Sequence, residues 1–117
     1  MNKQAFYEIS KSKFYSYAFE ISSMEEFQTY YEKIKLEHKK ARHICYAYVF
    51  NENGVKEKYS DDKEPKGTAG LPILNVIKRK NLKNILIIVV RYFGGIKLGA
   101  GGLLRAYSKS ASLLFQE

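Results

Sequence analysis

The sequence predicts an α+β fold, a mixed two-layer sandwich with helices on one sheet face, in the order β-β-α-β-β-α-β-α. Three observations point to it. Aromatic-rich, partly alternating stretches open the chain. Segments with apolar residues at three- and four-residue steps then alternate with strand-like runs. One run, Ile85 to Val90, is apolar at every position, which suits a central strand covered on both faces.

Gln4 to Ser10 and Lys13 to Ile21 read as two strands turning near Lys11-Ser12. Ser22-Ser23-Met24-Glu25-Glu26 starts a helix, because each serine has a glutamate three residues on. Met24, Phe27, Tyr31, Ile34 and His38 continue one apolar stripe to about Lys40. Ile44 to Phe50 is the next strand, Asn53-Gly54 a hairpin turn, and Val55 to Tyr59 the return. Ser60 to Gly70 is polar and charged, hence a loop. Leu71 to Lys80 is helical, with Leu71, Leu74 and Ile77 on one side and Pro72 tolerated in the first turn. Gly94 to Gly102 is a glycine-rich turn after the apolar strand. Leu103 to Phe115 closes the chain as a helix with Leu103, Tyr107, Ala111 and Leu114 on one face.

With 117 residues there is room for one core, so residues 1–117 are expected to form a single domain. A hydrophobic share of 45% excludes a disordered chain. The longest aliphatic run is far too short to cross a bilayer, and Met1 to Ser10 does not resemble a secretion signal. A lone Cys45 excludes an internal disulfide and fits a reducing compartment. A cytoplasmic protein is expected, with no membrane partner. Lys and Arg total 20 against 12 Asp and Glu, a formal charge of +8 that attracts polyanions or simply keeps the protein soluble.

Five of the eight glycines, Gly94, Gly95, Gly99, Gly101 and Gly102, lie in one strand-to-helix connection. Such a turn presents backbone N–H groups and a positive helix end to an anion, with Arg91, Lys97 and Arg105 adding charge. Tight packing against a neighbouring strand explains the same glycines equally well. The dinucleotide fingerprint fails, because Leu104 stands where its third glycine belongs, and no P-loop lysine-serine pair occurs. The loop Ser60 to Thr68 holds Asp61, Asp62 and Glu64, with Gly67 and Thr68 closing it. Three carboxylates there could bind a cation or supply an acid–base pair. The spacing favours a solvated loop whose Asp side chains close turns and whose Thr68 caps the next helix. His43 and Cys45 share a strand face, yet Cys45 sits between Ile44 and Tyr46, which favours a packing thiol over a nucleophile. No closed zinc site can be assembled from two histidines and one cysteine.

Taken together, Ser60-Asp61-Asp62 through Gly70 and the stretch Arg91-Tyr92-Phe93-Gly94-Gly95-Ile96-Lys97-Leu98-Gly99-Ala100-Gly101-Gly102-Leu103 resemble the IMPACT family, which includes YigZ-type bacterial members. The likeness extends through Ala41-Arg42-His43 with Cys45, Pro72-Ile73-Leu74 and Arg105-Ala106-Tyr107-Ser108, so it covers nearly the whole chain. The resemblance implies the family's N-terminal domain, with the fold of the second domain of a small-subunit ribosomal protein. It also implies a link to translation: eukaryotic members restrain a starvation-responsive kinase by competing for its ribosome-associated activator. Bacterial relatives carry a further ferredoxin-like domain, for which these residues hold no counterpart. Lys63 and Lys66 stand where the family usually has glycine and serine, and Ile44 where relatives often have a second histidine.

The function expected is a translation-associated binding module that docks RNA, the ribosome or a translation-related protein. No catalytic residue, metal or cofactor is assigned. The contact surface would comprise Arg91, Gly94, Gly95, Lys97, Gly99, Gly101, Gly102 and Arg105, with Asp61, Asp62, Glu64, Gly67 and Thr68 beside it. The alternative is an enzyme or phosphate-ligand domain using the acidic loop 60–68 and the turn 94–102, for which those carboxylates must converge on the turn in a concave pocket.

Overall fold

The computed structural model describes residues 2–116. The element order is β1 Asn2–Ile9, β2 Ser12–Glu20, α1 Met24–Glu37, β3 His43–Asn51, β4 Val55–Ser60, α2 Gly70–Arg79, β5 Ile85–Tyr92 and α3 Gly99–Leu113. The α+β class and the expected order both hold. The strands form one antiparallel sheet in the order β1-β2-β5-β3-β4, with β5 at its centre.

Because strand side chains alternate, β5 serves two cores at once. Ile85, Ile87 and Val89 join α2 and α3 through Ile73, Ile77, Leu103 and Tyr107. Leu86, Ile88 and Val90 join α1 through Phe27 and Ile34. The helices therefore do not share one face as the sequence reading had it. α2 and α3 cover one side and α1 the other, because an all-apolar central strand needs cover on both. The α1 side is aromatic: Phe27 lies 5.0 Å from Tyr46 and 4.9 Å from Tyr48 between ring centroids, and Tyr30 stacks on Phe19 at 4.2 Å.

Local chemistry sets the element ends. The β1–β2 turn is Ser10-Lys11, one residue earlier than expected; both have positive φ, the geometry of a tight two-residue hairpin. Ser23 caps α1, its Oγ accepting from the Glu26 N–H at 3.1 Å, while the Glu26 carboxylate accepts from the Ser22 N–H at 2.8 Å. α1 ends at Glu37 rather than near Lys40. His38 leaves the helix and lodges between two tyrosines, its Nε2 at 2.6 Å from the Tyr17 hydroxyl and its Nδ1 at 2.6 Å from the Tyr92 hydroxyl. At the other end of the chain, Gly99 to Gly102 lie inside α3 and form its first turn, so the connection from β5 is shorter than the sequence reading. Among the described residues, no helix is long and apolar enough to cross a membrane.

Burial lowers the His38 pKa, with Glu37 opposing more weakly. The fold thus prefers the neutral imidazole. Its contribution is complete above the ordinary histidine value of about 6.5 and is lost as pH falls below it, where the unfolded chain takes up the proton first. Urea midpoints of the protein and of His38→Phe should differ more at pH 7.5 than at pH 5. A constant gap would show that His38 does not titrate against the fold.

Candidate functional site

One end of the sheet gathers the residues that could carry chemistry. The antiparallel β3–β5 pairing sets His43, the first residue of β3, opposite Arg91 near the end of β5. On the other side Phe14 of β2 faces Arg91. Arg91 alternates in phase with Val89, so its side chain turns toward α2 and α3 instead of solvent. It is 5% exposed. Its Nη1 donates to both oxygens of Glu64, at 3.0 and 2.9 Å, and its Nη2 donates to Ser12 Oγ at 3.3 Å. Arg91 therefore differs from the anion-facing residue expected: its charge is already held by a buried carboxylate.

Glu64 is bound by a second element as well. Tyr107 of α3 donates its hydroxyl to Glu64 Oε2 at 2.5 Å, and burial, reinforced by the nearby acidic groups, holds the Tyr107 pKa far above the usual range. His43 Nδ1 lies 2.7 Å from the carbonyl of Asp62, which can only accept, so Nδ1 carries the proton. That leaves Nε2 facing Glu64 Oε1 at 3.4 Å. Cys45 is fully buried and donates to the Asp61 carbonyl at 3.2 Å and to the Tyr107 hydroxyl at 3.6 Å. Desolvation pushes its thiol pKa strongly up, so it is a packing residue with no thiolate character.

The two aspartates are used locally. Asp61 accepts N–H groups from Gly67 at 2.9 Å, Ala69 at 3.2 Å and Gly70 at 2.8 Å, and so satisfies the start of α2. This corrects the expectation for Thr68. The N-cap position is Ala69, while the Thr68 hydroxyl donates back to Pro65 at 2.5 Å. Asp62 accepts the Ile44 N–H at 2.6 Å and ties the loop to β3. The three carboxylates thus do not converge on one point, as an acid–base pair would require.

The glycines divide between the two expected roles. Gly94 is packing: a Cβ there would stand 2.0 Å from the Lys11 backbone. Gly95 and Gly99 have positive φ and open surroundings. Gly101 lies under the Arg105 guanidinium, where a Cβ would be 3.3 Å from Nη1, and a Cβ on Gly102 would crowd Leu98 at 3.2 Å. The N-cap position of α3 is Leu98, which supplies no side-chain acceptor, and the first turn holds no acid. Its free N–H groups therefore retain their affinity for an anion.

Between this helix start and the Glu64 loop is a cleft of about 430 Å³. Arg42, Lys63 and Lys97 line it with Phe93, Leu98 and Gly99, and Arg91 and Glu64 also contribute to its wall. The Arg42 guanidinium lies 5.2 Å from the Phe93 ring centre. Arg105 is on the exposed side of α3 and does not line the cleft. Spacing alone gives no signal for Ser12 or Phe93, because their roles follow from strand pairing and from the path of the turn.

Removing one partner of a buried ion pair leaves the other charge stranded. Glu64→Gln should lower unfolding free energy by about 3–5 kcal/mol, read from urea denaturation. An unchanged midpoint would mean that Arg91 finds equivalent partners. Cys45 in the native protein should react with iodoacetamide more slowly than a free thiol and at full rate in urea. Fast native labelling would contradict its burial.

The Impact N-terminal domain family profile matches residues 10–115. The Bacillus subtilis protein named IMPACT family member YvyE is 52% identical over 104 residues, covering 89% of this chain and 48% of the relative. The chain thus spans about half the length of that curated relative. A crystal structure described as that of a hypothetical protein superimposes with a TM-score of 0.91 at 36% identity, covering 97% of this chain and 56% of the other. A structure of the two-domain translational regulator Yih1 shares the fold at a TM-score of 0.59 and 21% identity, covering 96% of this chain and 43% of the other. With a family profile spanning nearly every described residue, from the β1–β2 turn to the end of α3, the chain belongs to the Impact N-terminal domain family.

Proposed function

We propose that residues 1–117 act as one cytoplasmic, translation-associated docking unit whose basic cleft takes phosphate groups of RNA or of a ribosomal RNA surface. One observation carries this reading. Asp61 is held by the start of α2, Glu64 by Arg91 and Tyr107, and Asp62 accepts the Ile44 N–H through Oδ2, while Arg42, Lys63, Lys97 and the uncapped start of α3 stand around the opening. A cleft so lined attracts anions. The name of Yih1, a translational regulator of the same fold, supports a setting in translation.

A second reading, a phosphate-ligand or enzyme domain, draws on the concavity of the same cleft. The Glu64 carboxylate, its candidate acid or base, is already bound by Arg91 and Tyr107, which counts against that role. Nucleotide turnover abolished by Asp61→Asn, with the fold retained, would favour it.

Each cation that touches a phosphate should lower the salt slope of binding by roughly one unit when removed. Lys97→Ala with Lys63→Ala, both on the cleft wall, should flatten the slope for RNA or ribosomes by about two units, and Lys33→Ala with Lys35→Ala on α1 should change it little. No RNA or ribosome affinity at low salt, or equal effects of the two pairs, would overturn the docking reading.

A further inference from the structure

We infer that the docked RNA is single-stranded and that it leaves the cleft over Phe93 to cross an aromatic track on the α1 face of the sheet, with bases stacking on Tyr15 and Phe6 and phosphates meeting Lys11 and Lys13. This rests on the RNA-docking reading above and specifies its ligand and its path.

The track exists because α1 covers only part of its face. Its rings meet Phe19, Tyr46 and Tyr48, and the helix ends at Glu37. His38 then bonds the hydroxyls of Tyr17 and Tyr92 and packs beside one edge of the Tyr15 ring, centroids 5.4 Å apart. Beyond it, among the described residues, β1 and the start of β2 carry no helix on this face, while α3 packs against them from the other. Two hollows lie there. One, of about 430 Å³, is lined by Lys11, Lys13, Tyr15, Tyr92 and Phe93. The next, of about 360 Å³, is lined by Gln4, Ala5, Phe6, Tyr15 and Tyr17.

These hollows are continuous with the cleft. Phe93 lines both the cleft and the first hollow, and Tyr15 lines both hollows. The rings follow one another, with centroids 5.6 Å apart for Tyr92 and Tyr15 and 5.0 Å apart for Tyr15 and Phe6. Phe6 is 49% exposed and Phe93 38%, high values for phenylalanine. The hydroxyls of Tyr17 and Tyr92 are held by His38, so those side chains are fixed in place.

Charge decides the occupant. Register places Lys13 opposite Glu8 on this face, and Lys11 stands at the hairpin tip. With Arg42, Lys63 and Lys97 in the adjoining cleft, cations outnumber Glu8 and the Arg91-bound Glu64 along the path. A line of rings, exposed at Phe6 and Phe93 and half-buried at Tyr15 and Tyr92, flanked by lysines, matches unpaired bases on a phosphate backbone, because every base has a stackable face. A duplex keeps its bases stacked on one another and cannot use the rings.

The test is fluorescence anisotropy with labelled oligouridine and with an RNA hairpin of equal phosphate number. Oligouridine should bind more tightly. Phe6→Ala should weaken it by about fivefold to a hundredfold at unchanged salt slope, since a ring and no charge is removed. Phe6→Tyr should retain binding. Lys13→Ala should lower the slope by about one unit, and Glu8→Gln should tighten binding. Inorganic polyphosphate binding should be insensitive to Phe6→Ala. Phe6 is the cleaner probe because its exposed edge-strand position tolerates truncation, and an unchanged thermal midpoint confirms that. If oligouridine binds but Phe6→Ala changes nothing, or if the hairpin binds as tightly as oligouridine, the track is wrong and the docking reading stands. If no RNA binds at low salt, the docking reading itself falls. A nuclease-resistant protein partner lost on Phe6→Ala would assign the track to a protein instead.

Discussion

A carboxylate buried beneath a sheet end has to be compensated, and the arrangement of this protein around Glu64 follows from that requirement. Arg91 supplies the opposing charge from β5 and Tyr107 a hydroxyl from α3, while His43 of β3 lies alongside, its Nε2 at 3.4 Å from Oε1. Arg91 in turn reaches Ser12 on β2, whose Oγ also accepts the Gly94 N–H at 3.4 Å. One acidic side chain thereby fixes three strands, a helix and a turn relative to one another. Such a pair adds less to net stability than to uniqueness of arrangement, because desolvation consumes much of the Coulomb attraction. The loop must carry Glu64 inward, and its flanking aspartates then have short reaches to α2 and β3.

The polar end and the aromatic face are products of the same alternation. Side chains of β5 that point to α2 and α3 finish in Arg91, and those that point to α1 finish in Tyr92. Phe93, just past the strand, stands where the two faces meet and contacts Arg42 and Arg91. The basic cleft and the aromatic hollows are thus neighbours by construction of the strand.

The sequence announces its elements through local rules. Ser23 with Glu26, the Asn53-Gly54 turn and the apolar run of β5 each depend on residues close in the chain, and each is where it was expected. What is hidden depends on long separations. The cap of α2 comes from Asp61, nine residues before Gly70, where the local candidate was Thr68. The inward turn of Arg91 depends on the register of β2 and β3 against β5. The face chosen by α1 cannot be read from its stripe, which says only that one side is apolar. Lys63 has φ 68°, a conformation that glycine adopts without strain, so the glycine usual in the resembling family fits this backbone better than the lysine present. Of the site, the basic turn was legible, while the cleft needed the loop and the turn to be brought together in space.

The central position of β5 governs how the chain can assemble as it is made. β1 with β2 and β3 with β4 are hairpins of neighbouring segments, able to close as soon as they emerge from the ribosome. They do not pair with each other: every ladder between the two halves runs through β5, which arrives only after residue 84. Until then each hairpin has an open edge where β5 will pair, the feature most exposed to mispairing. Insertion of one late strand closes the sheet, brings Arg91 to the waiting Glu64 and commits both halves together.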